Sequence, residues 1–513
     1  MTGTHVINVD LADVWRETGR ETLLRTLAWG DEVTVKTQSA KHIEVSLTTF
    51  TEKPDGSILP LLTSGFIAPT ASSKIKASDT VIPRAQNKVL KVNFVDVQQG
   101  DGSVIESPAG KVMLVDGGDN QLFARYLAGR FRGTTAATPQ PIECMLVTHG
   151  DADHFLGLPE ILKSEKHTQV RKRLFIQPKR VYHNGIVKRP TTRGGKKVAD
   201  KDLLGKTTKV GKDVFLTDLV DNLLEVPGTE MNEPFKAWKT TLETYNQRAD
   251  SGAKIEFRRL QLGSDDAFDF LASENIKVEV LGPLVESLAG KPALRFLGDP
   301  PKGPRVGHES IATEDLKSTG LSASHTINGH SIVFRLIYGG FSYLFSGDLN
   351  DEAGRFLTRA HNEGRLNLRS EVFKVPHHGS ADFSGAFLQA VSPVVSVVSS
   401  GDESARKEFI HPRATLMGAL GKSSRVLEPL VLVTELVAFF NLEGYARLTD
   451  KKKAPKRGSF FAFSRTAFGI VKTRTDGQRL LVYTDSGNVK MKEAYAYKLD
   501  QLGVPQPAPV LRA

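Results

Sequence analysis

The sequence predicts an α/β protein built around a two-sheet sandwich, with a small β module before it and a β extension after it. Between residues 88 and 445, short strand patterns alternate with helical patterns, which is the element order of a layered α/β fold. Residues 1–70 and 446–513 instead show short strand patterns separated by turn signals. A chain of 513 residues is long enough for about three such units.

Residues 1–70 are expected to form an N-terminal helix followed by a small β-barrel-like module. The spacing of Leu11, Val14 and Trp15 predicts a short amphipathic helix near the start of the chain. Alternating apolar residues and a turn signal then predict antiparallel strands. Residues 71–87 are rich in Ser, Lys and Pro, so we expect a linker there. The sequence does not identify a protein partner for this module.

The region from 88 to 445 carries the predicted sandwich. Its first half has the order strand, hairpin, helix, strand and helix, at residues 89–97, 103–106 with 111–115, 120–130, 142–147 and 158–163. Residues 164–270 are expected to be an insertion rich in Lys and Arg. The second half predicts strands at 276–281, 331–337, 341–345, 371–375 and 394–399, helices ending at 359 and 391, and a closing hairpin at 431–434 and 438–440.

Residues 446–513 are expected to form a C-terminal β extension or to lengthen the main sheet. The predicted strands of this region are 460–463, 468–474, 479–484 and 494–498. Gly477 and Gly487 mark turns between them.

Composition indicates a soluble globular protein and excludes several classes of site. Hydrophobic residues make up 40% and charged residues 25% of the chain, as is typical of soluble domains. The single cysteine, Cys144, excludes an intrachain disulfide framework and any metal site built from several cysteines. Because Cys144 lies within an apolar run, we expect it in the core.

Charge and hydropathy indicate the compartment and the partners. The first 30 residues contain no secretory apolar segment, and no apolar run approaches the roughly 20 residues needed to span a bilayer. We therefore expect a cytoplasmic protein without a membrane partner. The formal net charge of +10 favours polyanionic partners, including nucleic acids.

Polar side chains follow several predicted strands at the points where they end. The densest group runs from His149 to His154, where two histidines and two aspartates lie directly after an apolar strand. Asp116, Asp348 and the pair His377-His378 follow other strands. Imidazole and carboxylate groups are common ligands of zinc, manganese and iron. Because strand ends meet at one edge of a sheet, the sequence predicts one shared metal site.

Five motifs at these strand ends carry a family resemblance. They are Phe94-Val-Asp-Val-Gln-Gln-Gly-Asp101, Leu114-Val-Asp-Gly-Gly118, Thr148-His-Gly-Asp-Ala-Asp-His154, Phe345-Ser-Gly-Asp-Leu349 and Phe373-Lys-Val-Pro-His-His-Gly-Ser380. In this order they resemble the metallo-β-lactamase superfamily. The closer resemblance is to the soluble metal-hydrolase domain of ComEC-type DNA-uptake competence proteins and their stand-alone relatives. It covers about residues 88–442 without the insertion, and it implies an αββα metallo-β-lactamase sandwich.

The resemblance implies two divalent metal ions, Zn²⁺ or Mn²⁺, that hold a hydroxide as the nucleophile. One ion would be bound by residues of the strand ends: Asp153, His154, Asp348 and either His377 or His378, with His377 preferred. The other ion would be bound by His149 and Asp151, with Asp348 shared. Asp153 and Asp348 would thereby act in the chemistry, and His378, if not a ligand, would pack or contact the substrate.

Several positions around these ligands each have more than one possible role. Asp116 is expected to hold the metal loop by hydrogen bonds, and Asp101 either supports the same loop or forms a plain turn. A third ligand for the ion at His149 is not evident, and Asn328 and His330 are the candidates. Gln98 stands where the relatives usually have Gly, in a loop that borders the site.

A further group of residues could contact the substrate. His183 either lines the cleft or packs at the surface, and His411 either reaches the substrate or starts a helix. Ser380 either binds phosphate or caps the following helix. Lys196 and Lys197 either grip a phosphate backbone or belong to a solvated basic loop.

These expectations together indicate a metal-dependent hydrolase, with a phosphodiester, either nucleic acid or nucleotide-derived, as the expected substrate. The alternatives are a hydrolase of a small phosphoester, lactone or thioester, and a non-catalytic metal-binding regulatory protein.

Overall fold

The computed structural model describes residues 3–52, 58–70, 74–249, 254–298, 320–401, 411–434, 469–485 and 493–513. Its first part is an antiparallel sheet with the strand order β3-β2-β6-β5-β4-β1-β7. The strands are β1 (Gly3–Ile7), β2 (Leu11–Trp15), β3 (Leu23–Ala28), β4 (Glu32–Gln38), β5 (Ile43–Glu52), β6 (Ile58–Ile67) and β7 (Val81–Pro83).

The helix expected within residues 1–25 is wrong, because this stretch forms strands β1, β2 and β3. Both faces of β2 are covered: Leu11 packs towards Trp29 and Leu481, whereas Ala12 and Val14 pack in the core of the N-terminal sheet. A strand buried on both faces loses the alternation that identifies strands, and the remaining apolar spacing resembles that of a helix.

The linker expected at 71–87 is also partly structured, because β7 pairs with β1. The turn predicted between β5 and β6 falls on residues 53–57, outside the described residues. The strands that flank it pair from Glu52 with Ile58 onward.

The first half of the sandwich follows the predicted order closely. Its elements are β8 (Leu90–Phe94), β9 (Ser103–Glu106), β10 (Val112–Val115), α1 (Leu122–Arg130), β11 (Gln140–Ile142), β12 (Cys144–Leu146), α2 (Ala152–Phe155), α3 (Leu158–Ser164), β13 (Ile176–Pro178), β14 (Arg180–His183), β15 (Thr192–Arg193), β16 (Lys196–Lys197), β17 (Thr207–Val210), β18 (Asp213–Leu216), α4 (Glu233–Arg248) and β19 (Glu256–Arg259).

The second half and the C-terminal region add the remaining elements. These are β20 (Ile276–Gly282), β21 (Glu286–Leu288), β22 (Lys291–Arg295), α5 (Ala323–Gly329), β23 (Val333–Tyr338), β24 (Phe341–Phe345), α6 (Asp351–Asn362), β25 (Val372–Lys374), α7 (Gly385–Val391), β26 (Val395–Val398), α8 (Ala414–Ser423), β27 (Leu430–Val433), β28 (Ile470–Thr475), β29 (Arg479–Asp485), β30 (Ala494–Leu499) and β31 (Pro505–Ala508).

Two large sheets form the sandwich. One has the order β19-β14-β12-β10-β9-β8-β28-β29-β30-β31, and the other has the order β20-β23-β24-β25-β26-β27. Apolar side chains from both sheets share one core, in which Phe345 stacks on Phe94 and Phe334 with ring centroids 5.8 and 4.6 Å apart. The inner faces of the sheets therefore hold the layers together by apolar burial.

Helices cover the outer faces of both sheets. Residues of α1, α3 and α4 pack on the sheet that contains β12, and residues of α6, α7 and α8 pack on the sheet that contains β25. This layering is the αββα sandwich expected from the sequence. None of the helices in the described ranges combines the length and the apolar character needed to cross a membrane.

The expected insertion and the C-terminal region both contribute strands to the sandwich, and the second of these was one of the two expected outcomes for residues 446–513. The expected insertion at 164–270 supplies β14, which pairs in parallel with β12, and β19, which pairs with β14. The C-terminal strands lengthen the same sheet, because β28 pairs with β8. The strands predicted at 438–440 and 460–463 fall outside the described residues.

Candidate metal centre

The polar residues predicted from the sequence meet where strands of the two sheets end. Asp116 follows β10, and the loop from His149 to His154 follows β12, the parallel neighbour of β10. Asp348 follows β24, and His377 and His378 follow β25, the parallel neighbour of β24. The two groups touch across the sandwich, with His154 Nε2 3.1 Å from Asp348 Oδ1.

Four buried side chains at this edge form a group that could hold a metal ion. Within the part of the chain that the structure describes, one such group is found, and its ligand atoms all lie within 4.8 Å of one another: Asp101, His154, Asp348 and His378. Asp153 lies beside the group, with its Oδ2 atom 3.5 Å from His378 Nε2. The set is carboxylate and imidazole, which suits zinc or manganese.

The orientation of the His154 ring favours a cation between its Nε2 atom and Asp348. Asp116 Oδ2 lies 2.9 Å from His154 Nδ1, and a carboxylate oxygen accepts, so Nδ1 carries the proton. The Nε2 lone pair of neutral His154 then faces Asp348 Oδ1, another acceptor. Two facing acceptors repel unless a proton or a metal ion lies between them.

His378 repeats this arrangement from the other sheet. Its Nδ1 atom lies 3.2 Å from the Ser399 carbonyl oxygen, to which it donates. Its Nε2 atom therefore faces Asp348 Oδ2 at 3.2 Å and His154 Nε2 at 3.3 Å. Two protonated imidazoles would direct N–H groups at each other across that short distance. A single metal ion satisfies both nitrogens and the carboxylate together, so the residues fit a bound cation.

The carboxylates of the centre favour positive charge at the two histidines. Burial opposes the charged form, but the Asp348 and Asp116 carboxylates raise the pKa of His154 well above its usual value. Burial likewise opposes the charge of His378, and Asp348 together with Asp101 raises its pKa. The pKa of Asp348 is correspondingly low, because His154 and His378 outweigh the effect of burial. The carboxylates thus create a strong demand for positive charge.

His149 brings one further donor to the edge of this group. Its Nε2 atom is buried, has no hydrogen-bond partner among the described residues, and lies 4.0 Å from Asp348 Oδ2. Burial, followed by the charge of His154, lowers the pKa of His149 to about 3. A neutral, unpartnered imidazole nitrogen aimed at a carboxylate is a suitable metal donor.

Asp151 has partners that the sequence did not reveal. Lys188 Nζ lies 2.9 Å from its Oδ1 atom, and the Asn328 amide, with its nitrogen turned towards acceptors, donates to its Oδ2 atom at 3.0 Å. His330 is directed elsewhere, with Nε2 2.7 Å from the Arg295 carbonyl oxygen. Of the two candidates for a third ligand, the structure therefore places Asn328, and not His330, beside Asp151.

The two adjacent histidines differ in their placement. His378 is inside the buried group, whereas His377 is 24% exposed in its side chain and its Nε2 atom lies 4.0 Å from Asp348 Oδ2. The preference for His377 as the ligand beside Asp153 and His154 is therefore replaced by His378. Both residues have positive φ angles, 50° and 51°, which are rare outside glycine and common where a site imposes its geometry.

The loop before β9, which includes residues 98–101, borders the site and contacts Asp153 and His378. Gln98 has a φ of 65°, a left-handed conformation that a glycine would adopt without strain. Gln99 Nε2 donates to Asp153 Oδ2 at 2.9 Å. Asp101 forms an ion pair with the buried Lys374 and lies 3.2 Å from His378 Nδ1. The structure therefore places Asp101 in the buried group itself, beside His378 and Lys374.

Lys374 was missed at the sequence level, although a signal exists. It is a lysine within the apolar run Val372–Val375 and is 3% exposed. A buried lysine needs a partner, and Lys374, at the end of β25, finds it in Asp101 from the loop before β9 of the other sheet. Lys188 offers no comparable signal, because it lies in a stretch with many basic residues.

Asp116 lies against the start of the 148–154 loop. It accepts hydrogen bonds from the Thr148 backbone N–H at 2.8 Å and from the Thr148 hydroxyl at 2.7 Å, in addition to His154. These contacts fix both the loop and the orientation of the imidazole ring.

The remaining candidates lie at varying distances from the centre. His411 faces His377, with ring centroids 6.2 Å apart, whereas His183 is bound to the Asp221 carbonyl oxygen and the Gly185 N–H. Ser380 does not cap α7, since the Ser384 hydroxyl accepts from the Phe387 N–H of that helix. The Ser380 hydroxyl instead accepts from the Asp382 N–H at 3.1 Å. Lys196 and Lys197 form the exposed strand β16.

Comparisons with known proteins agree with this geometry. Residues 95–218 match the family described as the metallo-beta-lactamase superfamily. A segment of 86 residues is 42% identical to the Competence protein ComA of Neisseria gonorrhoeae, and a segment of 102 residues is 30% identical to the ComE operon protein 3 of Bacillus subtilis (strain 168). These segments cover 17% and 20% of this chain, and 12% of each of the two relatives.

Solved structures give more distant similarities. Tm1679, a metal-dependent hydrolase of the beta-lactamase superfamily, is 12% identical with a TM-score of 0.30, over 67% of this chain and 95% of that chain. A variant of the CmlA beta-hydroxylase is 13% identical with a TM-score of 0.28, over 69% of this chain and 54% of that chain. The family match and the αββα layers lead to one conclusion. The chain has a sandwich of the metallo-beta-lactamase fold, and its residues 95–218 match the metallo-beta-lactamase superfamily.

Proposed function

We propose that this protein is a metal-dependent phosphodiesterase or nuclease that acts with divalent zinc or manganese in the cytoplasm. The observation that carries the proposal is the buried group of Asp101, His154, Asp348 and His378, where two imidazole Nε2 atoms face one carboxylate. When bound there, a divalent ion supplies a Lewis acid and activates water at neutral pH.

The protein side chains have separable tasks in such a reaction. Asp116 fixes the tautomer of His154 through Nδ1, so that Nε2 faces the centre. Gln99 orients Asp153 by donating to its Oδ2 atom. Lys188 keeps a positive charge beside Asp151, where it could bind a non-bridging phosphate oxygen. Hydrolysis would form one P–O bond from water and break one ester P–O bond, with a proton passing to the leaving alcohol.

Charge favours a phosphate substrate over a neutral one. The net charge is +10, and the hairpin of β15 and β16 exposes Lys196 and Lys197. Not all of the basic run is available, because Lys179 and Arg180 pair with Glu143. The similarity to competence proteins supports a nucleic acid, although it spans 12% of those relatives.

Two other functions remain as alternatives for the experiment. A small phosphoester, lactone or thioester could use the same centre, because the site selects hydrolysis and not a particular leaving group. A non-catalytic regulatory protein could bind metal through the same residues. Neither has a contact that favours it over the phosphodiester.

A substrate screen tests the proposal. Protein loaded with Mn²⁺ or Zn²⁺ is assayed on single- and double-stranded DNA, RNA, cyclic nucleotides, bis(p-nitrophenyl) phosphate, a lactone and a thioester. We expect cleavage of phosphodiesters by the parent and by the control Asp351→Asn, whose carboxylate pairs with Arg355 and not with the centre. Asp348→Ala should abolish cleavage, and cleavage at the parent rate by that variant would refute the proposal.

A further inference from the structure

His149 and Asp151, the residues expected to bind a second metal ion, have contacts that differ from those of metal ligands. The family resemblance implies that His149, Asp151 and a third ligand would bind this ion, and that Asp348 would bind both ions. The described residues contain one group of donors close enough to hold an ion, and neither His149 nor Asp151 belongs to it.

Both oxygens of Asp151 already accept from protein donors. The Lys188 ammonium lies 2.9 Å from Oδ1, and the Asn328 amide nitrogen lies 3.0 Å from Oδ2. A carboxylate with a salt bridge on one oxygen and a hydrogen bond on the other is neutralised without a metal ion. His149 is left as a single imidazole that shares Asp348, which is fewer than the three protein ligands of ordinary zinc sites.

Lys188 is held in this position by its neighbours. Ile186 and Val187 are 3% and 2% exposed, and the Lys188 carbonyl oxygen accepts from the Asn232 N–H at 3.0 Å. Arg189 is 6% exposed and pairs with Asp218 and Glu230. The backbone on both sides is therefore anchored, so the ammonium is a built part of the site and not a side chain that happens to lie near it.

We propose that this protein works with one metal ion, and that the Lys188 ammonium, supported by the Asn328 amide, occupies the place of the second. The single ion would be held by the buried group of Asp101, His154, Asp348 and His378, with Asp153 beside it. Lys188 then supplies one fixed positive charge for a substrate oxygen, where relatives with two ions would supply a second metal. The inference rests on the metal-dependent hydrolysis proposed above and specifies how many ions that hydrolysis uses.

The number of bound ions tests this directly. Apo-protein prepared with a chelator is titrated with Mn²⁺ alone, and the bound ions are counted by elemental analysis. Electron paramagnetic resonance then distinguishes an isolated Mn²⁺, with six hyperfine lines, from a coupled pair. We expect one ion for each parent chain and the signal of an isolated ion. No bound ion would refute the proposed function itself, whereas two coupled ions would overturn this inference and leave the proposed function standing.

Substitutions at the second position complete the test. Lys188→Met removes the charge, and the double variant Lys188→Met, Asn328→His adds the missing imidazole. We expect the double variant to bind two ions, with a coupled signal, while the control Lys196→Met in the exposed strand β16 keeps one. A folded double variant that still binds a single ion would overturn the role given to Lys188, and thermal unfolding of each variant establishes that it is folded.

Discussion

Replacing Asp116 by Asn tests the orientation of the His154 ring while His154 itself stays in place. Asp116 does not belong to the group of donors that surrounds the centre, yet it fixes the proton of His154 on Nδ1. An Asn amide can place its NH₂ group towards Nδ1, which would move the proton to Nε2, the atom that faces Asp348. The φ of 57° at this position is one that Asn tolerates well.

The expected loss follows from the contacts of Asp116. A supporting hydrogen-bond partner of a metal-bound histidine is typically worth about 10- to 100-fold in metal affinity, or about 1.4 to 2.7 kcal/mol. The variant also loses one of three buried hydrogen bonds to a carboxylate, at a cost of about 1–3 kcal/mol of folding free energy. Affinity and stability should thus both fall, with the fold retained.

Isothermal titration of the apo-protein with Zn²⁺ measures the affinity, and urea unfolding measures the stability. A matched control is Asp10→Asn, a buried carboxylate that pairs with Arg479 and accepts from the Leu511 N–H, away from the centre. The control should lose stability and keep its metal affinity. A folded Asp116→Asn protein with the parent affinity for Zn²⁺ would refute the orientation argument.

Two further predictions concern stability. Burial raises the pKa of Glu106, but the Lys91 ammonium outweighs burial and lowers this pKa to about 2. The ionised Glu106 carboxylate therefore contributes about 3 kcal/mol to the free energy of unfolding above pH 4.5, and this contribution is lost as the pH falls towards 2. Urea unfolding should show the parent's advantage over Glu106→Gln shrinking over that range, and a constant difference would contradict it. Gly100 has a φ of 102°, and a Cβ there would lie 1.7 Å from the Asp153 carbonyl oxygen, so Gly100→Ala should cost about 2 kcal/mol or more. Its control, Gly129→Ala in α1, meets nothing within 4 Å and should be stabilising by about 0.5–1 kcal/mol in the same assay.

The ends of the sandwich strands, and the polar residues that follow them, could be predicted from the sequence. Short apolar runs are followed by Asp116, by the loop from His149 to His154, by Asp348 or by His378. Each run therefore predicts both a strand and a nearby metal ligand. The N-terminal strand β2 was misread because both of its faces are buried, which removes the period of two.

The hydrogen-bond partners of Asp151 were harder to predict, because they come from distant parts of the sequence. Lys188 is 37 residues from Asp151, and Asn328 approaches the same carboxylate from the other half of the chain. Both were visible as polar residues, but only tertiary packing brings them together. The choice between His377 and His378 depended on two left-handed backbone conformations, which no alternation rule for a strand describes.

The most direct test of the central claim is the metal content of the purified, extensively buffer-exchanged protein, compared between the parent and Asp348→Ala. Asp348 contacts His154 and His378 at 3.1 and 3.2 Å, so it is the residue on which the centre depends most. We predict a tightly bound divalent ion in the parent and its loss from a folded Asp348→Ala protein. A parent without bound metal, or a variant that retains the full content, would contradict the assignment of this edge of the sandwich as a metal centre.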